Sequence, residues 1–130
     1  MTEASRDLEI LPGRSIGLVE LGGHRNRLPE RARADEYGGE LDGVSFSLDN
    51  EGLVSDAWID NIRTVAQRLL FGGREVPIKG SLSQLQEFFG GCVEVDGIKG
   101  GRFFNCTSGV ALGCAYDGSD AFVQLRVKHR

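Results

Sequence analysis

This chain of 130 residues contains little proline, histidine, cysteine or tryptophan. It has 3 prolines, 2 histidines, 3 cysteines and 1 tryptophan. No apolar run approaches the roughly 20 residues that a membrane span needs. The polar segment 1–7 lacks the apolar core of a signal peptide. These absences predict a soluble, cytoplasmic protein that does not use a membrane as its partner.

The charge balance argues against nucleic acid as the main partner. The net charge is -4 and the pI is near 5.2, whereas binding to a phosphate backbone needs a basic face. Residues 34–61 contain many acids but no Lys or Arg. A solvated face kept for solubility and a steering surface for a basic partner both fit this segment. Its acids are Asp35, Glu36, Glu40, Asp42, Asp49, Glu51, Asp56 and Asp60.

Glycine is abundant, with 19 residues, about twice the average share. Since prolines are few and no low-complexity run occurs, these glycines indicate turns between many short elements. The pattern favours a β-rich domain over a helix bundle. The length fits one domain, residues 1–130, with a hydrophobic core of its own.

The clearest local signal is a β-hairpin between residues 43 and 60. Val44, Phe46 and Leu48 alternate with small or polar residues, which is the period of a half-buried strand. The turn 49–52 reads Asp-Asn-Glu-Gly, which suits tight backbone angles. An apolar run then restarts the second strand, and its Trp58 fits either the core or an interface.

A helix is predicted over residues 81–89. Ser81 is a good N-cap and Gly90 a good C-cap, and the apolar residues between them form one stripe. Residues 24–34 are predicted as a short helix or irregular segment, 35–42 as a polar loop, and 61–71 as either a helix or a turn followed by a strand. Further strands are predicted over 8–11, 14–21, 92–95, 102–106, 110–116 and 121–127.

Two similarities in the same order suggest an internal duplication. Segment 11–18 resembles 71–78, and 46–53 resembles 104–110, at similar sequence offsets. These matches predict half-repeats 8–66 and 67–130 that share one sheet. Chance similarity between short strands bounded by glycine is the alternative. The predicted fold class is α+β: an antiparallel sheet built from two strand-helix-hairpin halves, with one or two short helices packed on it.

This layout resembles the small duplicated α+β domains of bacterial toxin-immunity proteins. It is also similar in layout to β-lactamase-inhibitor-protein-like domains. The shared pattern is a strand, a Pro-Gly or Gly-Gly turn, a strand, a Ser-started helix that ends in Gly, and a hairpin with an Asp-x-x-Gly turn. The resemblance implies a non-enzymatic protein that binds and neutralises a toxin. It implies no particular functional residues, because such families share none.

Signatures of catalysis and metal binding are absent. Cys92, Cys106 and Cys114 are widely spaced, which fits no zinc pattern and predicts reduced, partly buried thiols in a cytosolic chain. His24 and His129 are the only histidines available as a base. The glycine-rich basic turns lack the spacing of a phosphate-binding loop. We therefore predict no enzyme activity, no cofactor and no metal.

These observations predict an immunity protein that blocks the active site of a cognate bacterial effector toxin. An acidic binder would suit a toxin with a basic cleft, such as a nuclease or a nucleotide-consuming enzyme. The alternatives are an adaptor or chaperone-like subunit of a secretion system, and a small enzyme using Cys114 or His24. The oligomeric state stays open. The candidate toxin-binding residues are Tyr37, Glu40, Asp42, Asp49, Glu51, Asp56, Trp58 and Asp60.

Overall fold

Residues 7–95 and 100–127 form strands in two sheets and one short α-helix. These residues are the ones that a computed structural model describes. Two 3-10 turns, Arg25–Arg27 and Ile62–Thr64, lie between strands. In chain order the elements are β1 (Leu8–Leu11), β2 (Ser15–Ile16), β3 (Val19–Glu20), β4 (Arg33–Ala34), β5 (Gly38–Leu41), β6 (Val44–Leu48), β7 (Val54–Ile59), β8 (Leu69–Phe71), β9 (Arg74–Glu75), α1 (Leu82–Phe88), β10 (Cys92–Val95), β11 (Arg102–Cys106), β12 (Val110–Cys114) and β13 (Val123–Val127).

The larger sheet is antiparallel throughout. Within the described residues it has 8 strands in the order β10-β11-β12-β13-β7-β6-β5-β4. The smaller sheet has the order β3-β2-β1-β8-β9, and in it β1 and β8 run parallel. The predicted α+β class with a mainly antiparallel sheet is therefore confirmed.

One hydrophobic cluster joins the two sheets and the helix. In β6 the side chains of Val44, Phe46 and Leu48 are buried, while the serines between them are half-buried. The small sheet adds Ile10, and the helix adds Leu85, both fully buried in the same cluster. Each such side chain contributes about 1.5–3 kcal/mol by leaving water. The large sheet thus packs one face against the core, and its other face points away from the core.

The predicted hairpin and helix are both present. The turn between β6 and β7 has Gly52 at a φ of 79°, and the Asp49 carboxylate accepts hydrogen bonds from the amides of Glu51 and Leu53. In the helix, the Ser81 hydroxyl accepts from the Gln84 amide, and the Gln84 side chain accepts from the Ser81 amide. This reciprocal capping explains why both local signals were reliable.

Arg63 decides the structure of the ambiguous segment 61–71. Its guanidinium, 15% exposed, donates to the carbonyl oxygens of Ile78, Gly80 and Asp120. These bonds hold the 3-10 turn in place, and the strand β8 follows it. The turn-then-strand alternative is the correct one.

Five other segment predictions need correction. Residues 35–42 are not a loop, because β5 pairs with β6 along its length. Residues 14–21 form two short strands, β2 and β3, because Gly17 at a φ of 58° turns the chain between them. Segment 24–34 is a short 3-10 helical turn followed by an irregular stretch, as predicted, but it ends in the strand β4, which was not predicted. β12 ends at Cys114, two residues earlier than predicted, and the last strand begins at Val123, two residues later than predicted.

The prediction that all three cysteines are reduced is wrong for two of them. Cys92 and Cys106 form a disulfide, while Cys114 is a buried free thiol. Antiparallel pairing of β10 with β11 sets Cys92 directly opposite Cys106. The spacing of the cysteines in the sequence does not reveal this strand register. Comparison of that spacing with zinc-binding patterns therefore could not predict the disulfide.

The two-half-repeat prediction is not confirmed. The strand order does place four consecutive strands on each side of the β13–β7 contact. However, the sequence match equates hairpin β6–β7 with β11–β12, and these hairpins lie at different distances from the centre of the sheet.

In the described part of the chain, the helix is too short to cross a membrane.

Candidate functional site

The candidate site is the face of the large sheet that points away from the core, which we call the outer face. Alternation along each strand selects its side chains, and strand register aligns them in rows across the sheet, one of which is Gly38, Ser47 and Asp56. The long row contains Arg33, Glu40, Ser45, Trp58, Arg126, Ala111, Asn105 and Val93. A third row contains Gln124, Gly113, Phe103 and Val95.

A cluster of charged and aromatic groups occupies the centre of the outer face. The guanidinium carbon of Arg126 lies 5.0 Å from the ring centroid of Trp58. Its Nη1 donates to Asp56 at 2.7 Å. The indole Nε1 of Trp58 donates to Asp60 at 2.9 Å. Trp58 is half-buried by these neighbours, so it belongs neither to the core nor to the freely exposed side chains.

An apolar groove of about 320 Å³ lies beside this cluster. Phe103 is half-buried there, and a Cβ at Gly113 would approach its ring within 2.9 Å. The aromatic ring therefore lies directly against the glycine, where a larger residue would not fit, and lines the groove. Such a groove can receive an apolar side chain of another molecule. Its lining residues are Val95, Phe103, Asn105, Ala111, Leu112, Gln124 and Arg126.

A second groove, of about 500 Å³, has an acidic lining. Glu40, Asp42 and Asp60 contribute to its wall, together with Ile59 and Val65. Asp42 is already engaged, because the guanidinium of Arg31 (not a wall residue) donates to both of its carboxylate oxygens at 3.0 and 2.8 Å. Carboxylates at the mouth of a groove favour basic side chains.

Three predicted site residues lie at the C-terminal end of β6, away from the acidic groove. Tyr37, Asp49 and Glu51 line a groove of about 340 Å³ together with His24 and Arg25. Tyr37 is 75% exposed. Asp49 uses its carboxylate to close the hairpin turn, so its role there is structural.

The structure therefore separates the eight predicted residues into three groups. Asp56 and Trp58 lie at the centre, Glu40, Asp42 and Asp60 at the acidic groove, and Tyr37, Asp49 and Glu51 at the hairpin tip. Sequence reasoning missed Arg126 and Phe103. Both come from strands far along the chain, and no local signal links them to Trp58.

The residues weighed for catalysis are poorly placed for it. Burial raises the pKa of the Cys114 thiol, so the reactive thiolate is disfavoured near neutral pH. The His24 Nδ1 accepts a hydrogen bond from the Asn26 amide and caps a 3-10 turn. Within residues 7–95 and 100–127, no three His, Cys, Asp or Glu side chains lie close enough together to hold a metal ion. His129 lies outside the described residues.

The fold and outer face place this chain among α+β domains with one open sheet face. Comparison with protein-family models, with curated proteins and with solved structures finds no match.

Proposed function

We propose that this chain is a non-enzymatic immunity protein that binds a cognate bacterial effector toxin in the cytoplasm and blocks its active site. The observation that carries this proposal is the open outer face with the Trp58–Arg126 pair at its centre. Trp and Arg are the residues that most often dominate protein–protein interfaces, and they do so near the interface centre. Here both are held by neighbours on a hydrogen-bonded sheet, which lowers the entropy lost on binding.

The surroundings of the pair favour a protein partner. On one side the apolar groove beside Phe103 suits a protruding apolar side chain. On the other side Glu40 and Asp60 suit a basic one. From β4 to β10 the face is about 34 Å wide, since neighbouring strands lie about 4.8 Å apart. An enzyme that acts on nucleic acid or nucleotides has a basic cleft, and an acidic edge would compete with its anionic substrate.

We include the duplicated architecture in the proposal. Each half, 8–66 and 67–130, supplies strands to the small sheet and then four consecutive strands to the large sheet. Expression of the two halves as separate chains tests the idea. Two related halves should reassemble into a 1:1 complex, whereas two insoluble halves that never associate would count against it.

Capture of the partner tests the function. The full chain is used to isolate bound proteins from its native host, and each captured protein is expressed alone and together with the chain. One captured protein should be toxic alone and harmless in the pair. If cells tolerate every captured protein alone, the immunity proposal fails. A secretion-apparatus component among them would support the adaptor alternative.

Charge reversal then maps the surface. Glu40→Lys at the acidic groove should weaken the captured complex by at least about tenfold, the usual effect of losing one important interface contact. Glu87→Lys is the matched control, since it makes the same charge change at an exposed position of α1, away from the outer face. Equal losses in both variants would point to general charge attraction and not to the outer face.

A further inference from the structure

We infer that the Cys92–Cys106 disulfide is a reversible, thiol-responsive latch that holds the edge strand β10 on the large sheet. The inference concerns the chain alone and does not depend on the identity of a partner. It starts from the position of the bond, which joins directly opposed residues of β10 and β11.

Strand β10 has few other attachments. It is at the edge of the sheet, so in the described structure it pairs with β11 alone. Val93 is 75% exposed and Glu94 is exposed, and the Glu94–Arg102 ion pair is open to solvent on both sides. Such surface pairs contribute little to stability. Besides the backbone pairing of its four residues with β11, the disulfide is therefore the main link of this strand.

The chain before β10 has anchors that do not need the disulfide. Phe89 is fully buried, and its carbonyl accepts from the Ser108 amide. The Gly91 carbonyl accepts from both the amide and the hydroxyl of Thr107. Opening of the bond should consequently release residues 92–95 while the helix stays in place. Because Val95 lines the apolar groove, release also removes one wall of that groove.

The chemistry requires only an external thiol. Cys92 is partly exposed, whereas Cys106 is 7% exposed, so the attack falls on the Cys92 sulfur. The thiolate of a small thiol bonds to Cys92 Sγ and displaces the Cys106 thiolate, which takes up a proton. A second thiolate then attacks the mixed disulfide at the sulfur of the small thiol. The products are two cysteine thiols and one oxidised small-molecule disulfide. Cytoplasmic thiols favour this direction.

Hydrogen exchange of the intact chain tests the latch. Amides in 92–95 should exchange at least about tenfold faster in dithiothreitol than in the oxidised protein, as expected for a local opening. Amides in β12 and β13 should keep their rates. Removal of the reductant and addition of oxidised glutathione should restore protection. The Cys92→Ser/Cys106→Ser variant should match the reduced state without reductant, and Cys114→Ser should match the wild type.

Three results would overturn the inference. Equal exchange of 92–95 in both states would show that the bond does not hold the strand. Faster exchange throughout the sheet would make the bond a global staple. Alkylation of three cysteines in the air-oxidised, unfolded chain would show that no disulfide forms.

Discussion

Arg126 and Trp58 are directly opposed on neighbouring strands, and the guanidinium carbon lies 5.0 Å from the indole centroid. The contact places a cation over an aromatic face on the solvent side of the sheet, so Trp58 is not a core residue. It also explains why Trp58 is half-buried although it points away from the core.

Replacement of Arg126 should lower the affinity for the partner much more than the stability of the fold. The Arg126→Met variant loses a partly exposed ion pair and a cation–π contact, each worth at most about 1 kcal/mol at such sites. We expect the free energy of unfolding in urea to fall by no more than about 2 kcal/mol. Affinity for the captured partner should fall by at least about tenfold.

The control is Arg33→Met, which removes the same charge at the end of the same row. Its affinity should stay near that of the wild type. Trp58 is the single tryptophan, so partner binding at the outer face should also protect its fluorescence from acrylamide quenching. Unchanged quenching in a saturated complex would place the interface elsewhere.

Removal of the Arg63 side chain should lower the free energy of unfolding strongly. Arg63→Ala leaves the carbonyls of Ile78, Gly80 and Asp120 without their donor. Hydrogen bonds to a charged group contribute about 1.5–3 kcal/mol each, and they are not additive. We expect a loss of about 3–5 kcal/mol in urea unfolding.

Arg27→Ala, in the exposed 3-10 turn, is the control and should change stability by no more than about 0.5 kcal/mol. Arg63→Lys should recover little, because one ammonium cannot reach all three carbonyls. Full recovery by lysine would mean that charge alone, and not the hydrogen-bond geometry, matters at this position.

The Glu94 carboxyl should titrate below its ordinary range. Hydrogen bonds from Arg102 at 2.9 and 2.8 Å lower the pKa of Glu94. Because the folded pKa is below the unfolded value, the contribution to stability is complete above about pH 4.3 and is lost as the pH falls through the folded pKa. Carbon-detected NMR titration measures this midpoint directly.

The Arg102→Met variant should raise the Glu94 midpoint back toward the ordinary value. Arg126→Met, which removes an arginine elsewhere on the sheet, should leave it unchanged. If both variants move the midpoint equally, the general field of the protein and not the Arg102 hydrogen bonds lowers the pKa.

The Cys114 thiol should react slowly in the native protein. Burial raises the pKa of Cys114, which keeps the thiol protonated near neutral pH. In the oxidised chain we expect iodoacetamide to modify it at least about tenfold more slowly than in urea, with the rate rising toward alkaline pH. Mass spectrometry counts the modification. Fast native alkylation at pH 7 would revive the cysteine-enzyme alternative.

Local sequence signals predicted the hairpin 43–60 and the helix after Ser81 correctly. Their determinants lie within a few residues of each other: strand alternation, an Asp-capped turn and a reciprocal helix cap. The same reasoning failed for 35–42, where two glycines and surface polar residues suggested a loop. That stretch is a strand because β6 offers it an edge, and sheet pairing can override weak local propensity.

The sequence by itself determined the β-rich class, the hairpin turn at 49–52 and the acidity of residues 34–61. Tertiary structure alone decided which residues lie together in the candidate site. Arg126 and Asp56 are 70 residues apart in sequence, and Cys92 meets Cys106 only through strand register. The physical reason is that strand order and register follow from burial of one sheet face over the whole domain. No window of neighbouring residues contains that information.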